Sequence, residues 1–498
     1  MASRINIGPE DGPYVAINES SGNLQLEDNS GNVVAEWDDT NAQWDFANNT
    51  LNNVDALNSN SVNTERVNNT RHATADDDLQ SIIDDLGHGG TIKLRANTTY
   101  ELDSGLSVTY DNFTIEGPRS AVLVASDDFG PDTFIEVGRT DDAANFTATG
   151  FTIDGANQDD PSAYGNSSTL EGMGIHVVAD EDAPSGSDNE VDVRRSLVMD
   201  CHIKNVTNEG IAYWGLEEGR TNHDLQAVAW GNLVEGFDAR GIHPHNDHAV
   251  VIANNVVRDA TTVSDVDGGG NAIRHGYIIS GNVVSNVTSD EGIRGSALRS
   301  IISNNLVEEC DVGEAIATVV GDGGELVIGN FVIDCPNRGI TAEAPNDTIV
   351  GNRVVNCTDS IRIWPESSGN VFHVHNNSAQ DHRGTGLQIV DNTATVIAHG
   401  NNFTAENPRN DDQASSHVDG RGNAELLDLQ SNYFDDTAQD TIKAPSGNIR
   451  QIWNTGVDDA TSVEPPEDDN LVYLDDGSNT GDSDPSLRYY DGTSWVDL

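Results

Sequence analysis

One phrase returns through the middle of the chain and constrains what it can become. It reads GNLVEG at Gly231, NNVVRDA at Asn254, GNVVSNV at Gly281, NNLVEEC at Asn304, GNFVIDC at Gly329 and GNRVVNC at Gly351. With its second residue as marker, Asn232, Asn255, Asn282, Asn305, Asn330 and Asn352 follow at intervals of 23, 27, 23, 25 and 22 residues. A period in this range means a stacked array, in which each unit buries its apolar face only against its neighbours.

The positions around each marker assign the parts of a coil. Two residues on stand Val234, Val257, Val284, Val307, Val332 and Val354, and five on stand Phe237, Ala260, Val287, Cys310, Cys335 and Cys357. Residues that stay apolar at fixed phase must line a common interior. The residue before each marker is Gly or Asn, the two types that tolerate a left-handed corner. The Asn column itself is expected to hydrogen-bond from coil to coil. The cysteines share a column with Phe, Ala and Val, so they read as small buried hydrophobes, not as zinc ligands.

The flanks differ from the coil. Residues 1–66 carry short strand-like runs, Leu24–Leu26 and Val33–Trp37, then an Asn-rich tract, and read as a β anchor or neck. Residues 67–89 hold a capping helix expected over Asp76–Leu86, with Leu79, Ile82, Ile83 and Leu86 on one face and Gly87 as its stop. Strand phrases at Thr91–Leu94, Phe113–Gly117 and Phe151–Gly155 open a coil that runs over residues 90–445. Residues 446–498 end in LRYYDGTSWVDL and read as a small β module. The fold class expected is all-β.

The formal charge is −58, with 83 acidic residues against 25 basic ones. The acids are spread along the repeats, and only Lys93, Lys204 and Lys443 are lysines. This pattern fits a protein of molar salt, where self-repulsion is screened within about 3 Å. It disfavours nucleic acid and anionic membranes as partners. No apolar run reaches spanning length, so no membrane insertion is expected, and the opening MASRINIGPEDG has no signal-peptide core.

A second signature follows each marker by some ten residues, as GIHV at Gly174, GIAYW at Gly210, GIHPH at Gly241, AIRH at Ala272 and GIRGS at Gly292. AIATV at Ala315, GITAE at Gly339, SIRIW at Ser360 and GLQIV at Gly386 continue it. With the apolar residue inward, alternation turns His176, Ala212, His243, Arg274, Arg294, Ala317, Thr341, Arg362 and Gln388 outward. A second outward column holds Trp214, His245, Gly276, Ser296, Glu343 and Trp364. Aromatic rings stack on sugars and arginines grip carboxylates or sulfates. Trp214, His243, Arg274, Arg294, Arg362 and Trp364 are therefore the candidate ligand-binding residues, set against the reading that such arginines simply pair with nearby acids. His243, His245 and Asp247 are candidates for a metal site or an acid/base pair. Among many carboxylates, Asp238, Asp247 and Glu343 are the best placed for glycosidase chemistry. No cofactor is required by these residues, with room left for structural or surface cations.

Residues 90–445 resemble right-handed parallel β-helix proteins of the pectate-lyase-like class, although the polygalacturonase-type motif set is not intact. The end segments GNLQLEDNSGNVVAEWDDTNAQWDF and LRYYDGTSWVDL look like end modules of haloarchaeal virus and provirus structural proteins. That resemblance implies a virion surface protein, a tail spike, fibre or capsid projection, made in the host cytoplasm. It would be anchored to other virion proteins by its N-terminal module, assembled as a homo-oligomer with a trimer favoured, and bound to host glycan or S-layer glycoprotein. On this reading binding is favoured over catalysis. The alternatives are a polysaccharide lyase or glycoside hydrolase acting on an acidic glycan, and an architectural decoration protein.

Overall fold

The computed structural model describes residues 69–138, 143–159, 171–178, 195–214, 227–244, 250–260, 270–295, 300–318, 323–365, 367–390, 394–405, 416–420 and 424–434, together with strands nearer both ends. The chain divides into two compact units, Met1–Asn68 and Asn69–Leu498. In the first unit, five strands from Arg4–Ile7 to Gln43–Asp45 pair in sequence order as an antiparallel sheet, with Trp37 opposite Trp44. The Asn-rich tract after it lies outside the described residues.

The second unit is a coil of three parallel strand columns. One turn runs through Val250–Ala253 on the first face, Val256–Arg258 on the second and Asn271–Arg274 on the third. Each strand pairs in parallel with its counterpart one turn on, as Val234 with Val257, Val257 with Val284 and Val284 with Val307. The first and second faces form one 27-stranded sheet and the third face a 13-stranded one. In the C-terminal segment, Val472–Asp475, Ser486–Tyr490 and Trp495–Asp497 form a small antiparallel sheet.

The marker phrase makes the corner between the first and second faces. Gly231, Asn254, Gly281, Asn304, Gly329 and Gly351 all have φ between 54° and 68°, the left-handed conformation that only Gly and Asn adopt at little cost. Beside them the marker asparagines form a buried ladder. The backbone and side-chain N–H groups of Asn255 both donate to Oδ1 of Asn282, at 2.9 and 3.0 Å, while its Nδ2 also donates to Ala229 O. The pattern repeats without a break from Asn232 to Asn432, through Asn377 and Asn401. Buried corner amides are thus satisfied by side chains where two sheet directions meet. The valines two residues on are fully buried, and so are Cys201, Cys310, Cys335 and Cys357 as free thiols.

The capping helix is shorter than the sequence suggests, spanning Leu79–Leu86. Asp78 is its N-cap, accepting from the Gln80 and Ser81 amides at 3.0 and 3.2 Å, so the acids Asp76 and Asp77 precede the first turn instead of occupying it. Leu79, Ile82 and Ile83 are buried, and the Gln80 side chain clasps Ser107 N and O of the first coil. Ahead of the helix, Thr70–Ala73 pairs with Thr91–Leu94 and extends the first face by one strand.

Candidate functional site

The third face carries the chemistry-bearing side chains, and its local geometry explains which ones. A Cβ built at Gly339 would lie 2.5 Å from Val354 Cγ1, and the same valine column crowds Gly210, Gly241 and Gly292. The first residue of the Gly–Ile signature therefore faces inward together with the Ile that follows. The residues on either side of this inward pair turn away from the interior, three positions apart. One outward column is the expected one, paired as His176 with Ala212, Ala212 with His243, Arg274 with Arg294, Arg294 with Ala317, Ala317 with Thr341, Thr341 with Arg362 and Arg362 with Gln388. Ile242 opposite Ile273 keeps the phase between His243 and Arg274. The other column was not foreseen. It runs Glu209, Arg240, Asn271, Glu291, Glu314, Arg338, Asp359, each in register with the next. Strict alternation missed it, although a polar residue stands directly before each signature from Gly210 onward.

Together the two columns make a stripe of paired, largely buried charges. At one end Glu209, 1% exposed, accepts from Arg240 Nη1 at 2.7 Å and from His243 Nδ1 at 2.9 Å. Burial pulls His243 down to about 4 against the pull of the Glu209 carboxylate. At neutral pH it is therefore an uncharged imidazole donating Nδ1–H. Burial alone would raise the Glu209 carboxyl, but its two partners hold it far below the usual carboxylate range. The His275 ring lies 5.7 Å from that of His243. Arg274 is half-buried and drawn down to about 10, by burial first and then by Arg240 and Arg294.

Farther along, Asn271 and Arg294 both bond to Glu291, and Arg338 bonds to Glu314. Arg362 Nη1 is 3.7 Å from the same Glu314 oxygen, and its guanidinium lies 4.1 Å over the Trp364 ring. Burial raises both the Glu291 and Asp359 carboxyls. Glu343 sits just past its third-face strand, half-buried. Burial pushes it up to about 7, with Glu314 and Glu291 adding to the rise and Arg294 and Arg362 opposing it.

Of the residues expected to form a site, Arg294, Arg362, Trp364 and Glu343 come together in this second cluster, and His243 and Arg274 belong to the first. Trp214 ends the strand Glu209–Trp214, and its side chain lies outside the described residues, as do His245, Asp247 and Ser296 entirely. Gly276 is a turn residue following His275, whose φ is 61°, so it is not an outward strand position. His176 is fully buried 3.8 Å from Glu136. Among the described residues no group of three or more His, Cys, Asp or Glu side chains is arranged to hold a metal.

A family model described as "Right handed beta helix region" matches residues 240–403. The fold is a right-handed parallel β-helix. Among solved structures, the A-module of the Azotobacter vinelandii mannuronan C-5 epimerase AlgE6 is similar over 76% of this chain and 93% of its own, at 13% identity and a TM-score of 0.48. The catalytic domain of a GH87 α-1,3-glucanase in complex with tetrasaccharides is similar over 76% of this chain and 67% of its own, at 14% identity and a TM-score of 0.49. The catalytic unit of the GH87 α-1,3-glucanase from Streptomyces thermodiastaticus covers 74% of this chain and 68% of its own, at 13% identity and a TM-score of 0.41. At these identities the likeness is one of backbone architecture. A comparison with curated proteins finds no match.

The expectation that favoured a non-enzymatic binder is corrected. An adsorption surface keeps its charges in water, whereas here Glu209, Arg240, Glu291 and Arg362 are each at most 9% exposed. Desolvated charges with displaced proton affinities are the ordinary material of an active site.

Proposed function

We propose that the chain is a carbohydrate-active enzyme, a polysaccharide lyase or glycoside hydrolase, that takes an acidic glycan along its third face. One observation carries this reading: in the network Glu291–Arg294 and Arg338–Glu314–Arg362, Glu291 and Arg362 are buried while Arg294 and Arg338 reach partly into solvent, beside the half-buried pair Glu343 and Trp364. Arginines at the rim of such a network can exchange a protein carboxylate for a uronate carboxylate or a sulfate. Trp364 offers an aromatic edge to a sugar ring, and Glu343 a carboxyl whose proton is exchangeable near neutral pH. In a chain of −58, this is where an anionic polymer meets several cations at once.

A host-surface glycan or glycoprotein is the target we favour, the enzyme being carried on a virion surface as a homo-oligomer through residues 1–66. That part of the proposal rests on the two end segments and on the dispersed acidic charge.

The test is incubation of the purified protein with a panel of uronate-bearing and sulfated polysaccharides, followed by size-exclusion profiles, reducing-end assays and ultraviolet absorbance of unsaturated ends. Shortened chains are expected, and Arg294→Ala should abolish the shortening. Chains unchanged in length and ends across the panel would overturn the reading.

A further inference from the structure

Behind Glu343 stands a second, fully buried carboxyl that the site's outward columns do not include. Asp347 is 0% exposed, and its Oδ2 accepts the Thr318 hydroxyl at 2.7 Å while its Oδ1 accepts the Glu325 amide at 3.0 Å. The same Thr318 oxygen accepts the backbone N–H of Glu343 at 2.8 Å. Thr318 is itself fully buried, its amide donating to Thr341 O at 3.0 Å. From the next coil the Trp364 amide donates to Ala342 O at 2.8 Å. The main chain entering Glu343 is thus clamped from the turn before and from the turn after. A residue immediately beyond a strand end has no ladder of its own to fix it, so this clamp fixes the backbone from which the carboxyl extends.

Resting on the enzymatic reading above, we infer that Glu343 is the proton donor of this site and that Thr318 and Asp347 are its positioning residues. Glu343 gives its proton to the glycosidic oxygen as the carbon–oxygen bond breaks and the bond's electron pair passes to that oxygen. The carboxylate left behind lies in the field of Arg294 and Arg362, which favour it, against Glu314 and Glu291, which oppose it. It regains a proton from the one the substrate releases, from the attacking water in hydrolysis or from the ring carbon in elimination. Burial supports the role by raising both carboxyls, Glu343 to about 7 and Asp347 to about 7, so the donor is substantially protonated at neutral pH.

The experiment pairs kinetics with a readout that does not depend on turnover. In the full-length protein, Glu343→Gln is expected to lower kcat about 100-fold or more and to remove the alkaline limb of the pH profile near neutrality. Thr318→Val should lower kcat about tenfold with KM nearly unchanged, and Thr318→Ser, which keeps the hydroxyl, should restore it. Difference infrared titration of wild type against Glu343→Gln should show one carboxylic acid band lost with a midpoint near neutral pH. Cleavage that survives Glu343→Gln with its pH profile intact overturns the assignment while leaving the proposed function standing. An enzyme silent on every glycan, with the neutral-midpoint band present, overturns the function and the donor role with it. Equal kcat in Thr318→Val and wild type, with both folded by circular dichroism, removes the positioning role.

Discussion

A side chain at Gly339 would place its Cβ 2.5 Å from Val354 Cγ1 and 2.6 Å from Ser360 O. The signature of the third face and the phrase of the second are therefore two halves of one packing contact. Gly339→Ala should destabilise the coil by about 2 kcal/mol through overpacking. Combined with Val354→Ala, the loss should fall short of the sum of the two single changes by about 1 kcal/mol. Urea unfolding of the four proteins reads this directly, and strict additivity would mean the two residues do not share the contact.

The asparagine ladder makes a larger demand. Asn282→Ala removes the acceptor for two N–H groups of Asn255 and both side-chain bonds of Asn282 to Ile252 O and Asn305. One buried amide at the corner then has no replacement within reach. The expected loss is about 3 kcal/mol, with faster hydrogen exchange at Asn255 than at a ladder position several coils away. Unaltered exchange at Asn255 would show that water fills the gap at no cost.

These two cases mark how much of the molecule was legible in the sequence. Corners, interior valines, buried cysteines and the ladder follow from fixed phase along the chain, because in a stacked array neighbours in space are neighbours one period on. Asn377, Asn401 and Asn432 continue the ladder through coils where Ala379, Phe403 and Phe434 stand in place of the valine, since hydrogen-bonding capacity at one position suffices. The site was legible only by half. The column from His176 to Gln388 came from alternation, but its partner from Glu209 to Asp359 needs two consecutive inward residues, which simple alternation forbids. Thr318 and Asp347 lie where strands end, and nothing periodic marks them. The helix began later than expected because Asp78 serves as a cap, a role its neighbours Asp76 and Asp77 resemble in composition alone.

The burial of His243, which outweighs the pull of Glu209, makes stability depend on acid. His243 is neutral in the fold down to about 4, while its ordinary value is 6.5, so as pH falls the unfolded chain takes up the proton first. The associated stability is fully present above pH 6.5 and is lost as pH falls to about 4, an effect of about 3 kcal/mol. His243→Asn should flatten this part of the curve relative to wild type. Denaturant midpoints at pH 7 and pH 4.5 measure the difference, and parallel curves would mean that folding leaves the proton affinity of His243 unchanged.

Arg240→Ala probes the same cluster from the other side, leaving Glu209 buried with only a neutral imidazole beside it. The loss should be about 3–5 kcal/mol. Arg240→Ala with Glu209→Gln should recover a large part of it, because the uncompensated charge is gone. Thermal unfolding at neutral pH distinguishes the outcomes, and a double variant no better than the single one would place the cost in packing instead of charge.

Trp364 tests the substrate side of the third face. Its ring lies under the Arg362 guanidinium, so Trp364→Ala removes both a sugar platform and the support of one arginine. On a cleaved acidic glycan KM should rise about tenfold, or about 1.4 kcal/mol, with a smaller change in kcat. A lowered kcat at unchanged KM would instead place Trp364 at the reacting bond.

Asp347 should show the opposite pH response to His243. Burial holds its carboxyl up at about 7 against an ordinary value of 3.8, so above that range the fold must ionise a desolvated group that the unfolded chain ionises freely. Stability is therefore greatest below pH 3.8 and is lost as pH rises to about 7, by about 4 kcal/mol. Asp347→Asn keeps the shape without the charge, so the variant should match wild type near pH 4 and exceed it at pH 8. Its Oδ1 can still accept the Glu325 amide, while the amide nitrogen facing Thr318 requires the hydroxyl to accept instead of donate. That reversal withdraws the hydroxyl's lone pair from the Glu343 amide only in part, because oxygen has two to offer. The variant is thus expected to be more stable at pH 8 and no more active, a pairing that denaturant midpoints and kcat measured on one preparation establish together. Greater stability at pH 4 as well as at pH 8 would mean that Asp347 is already ionised in the fold.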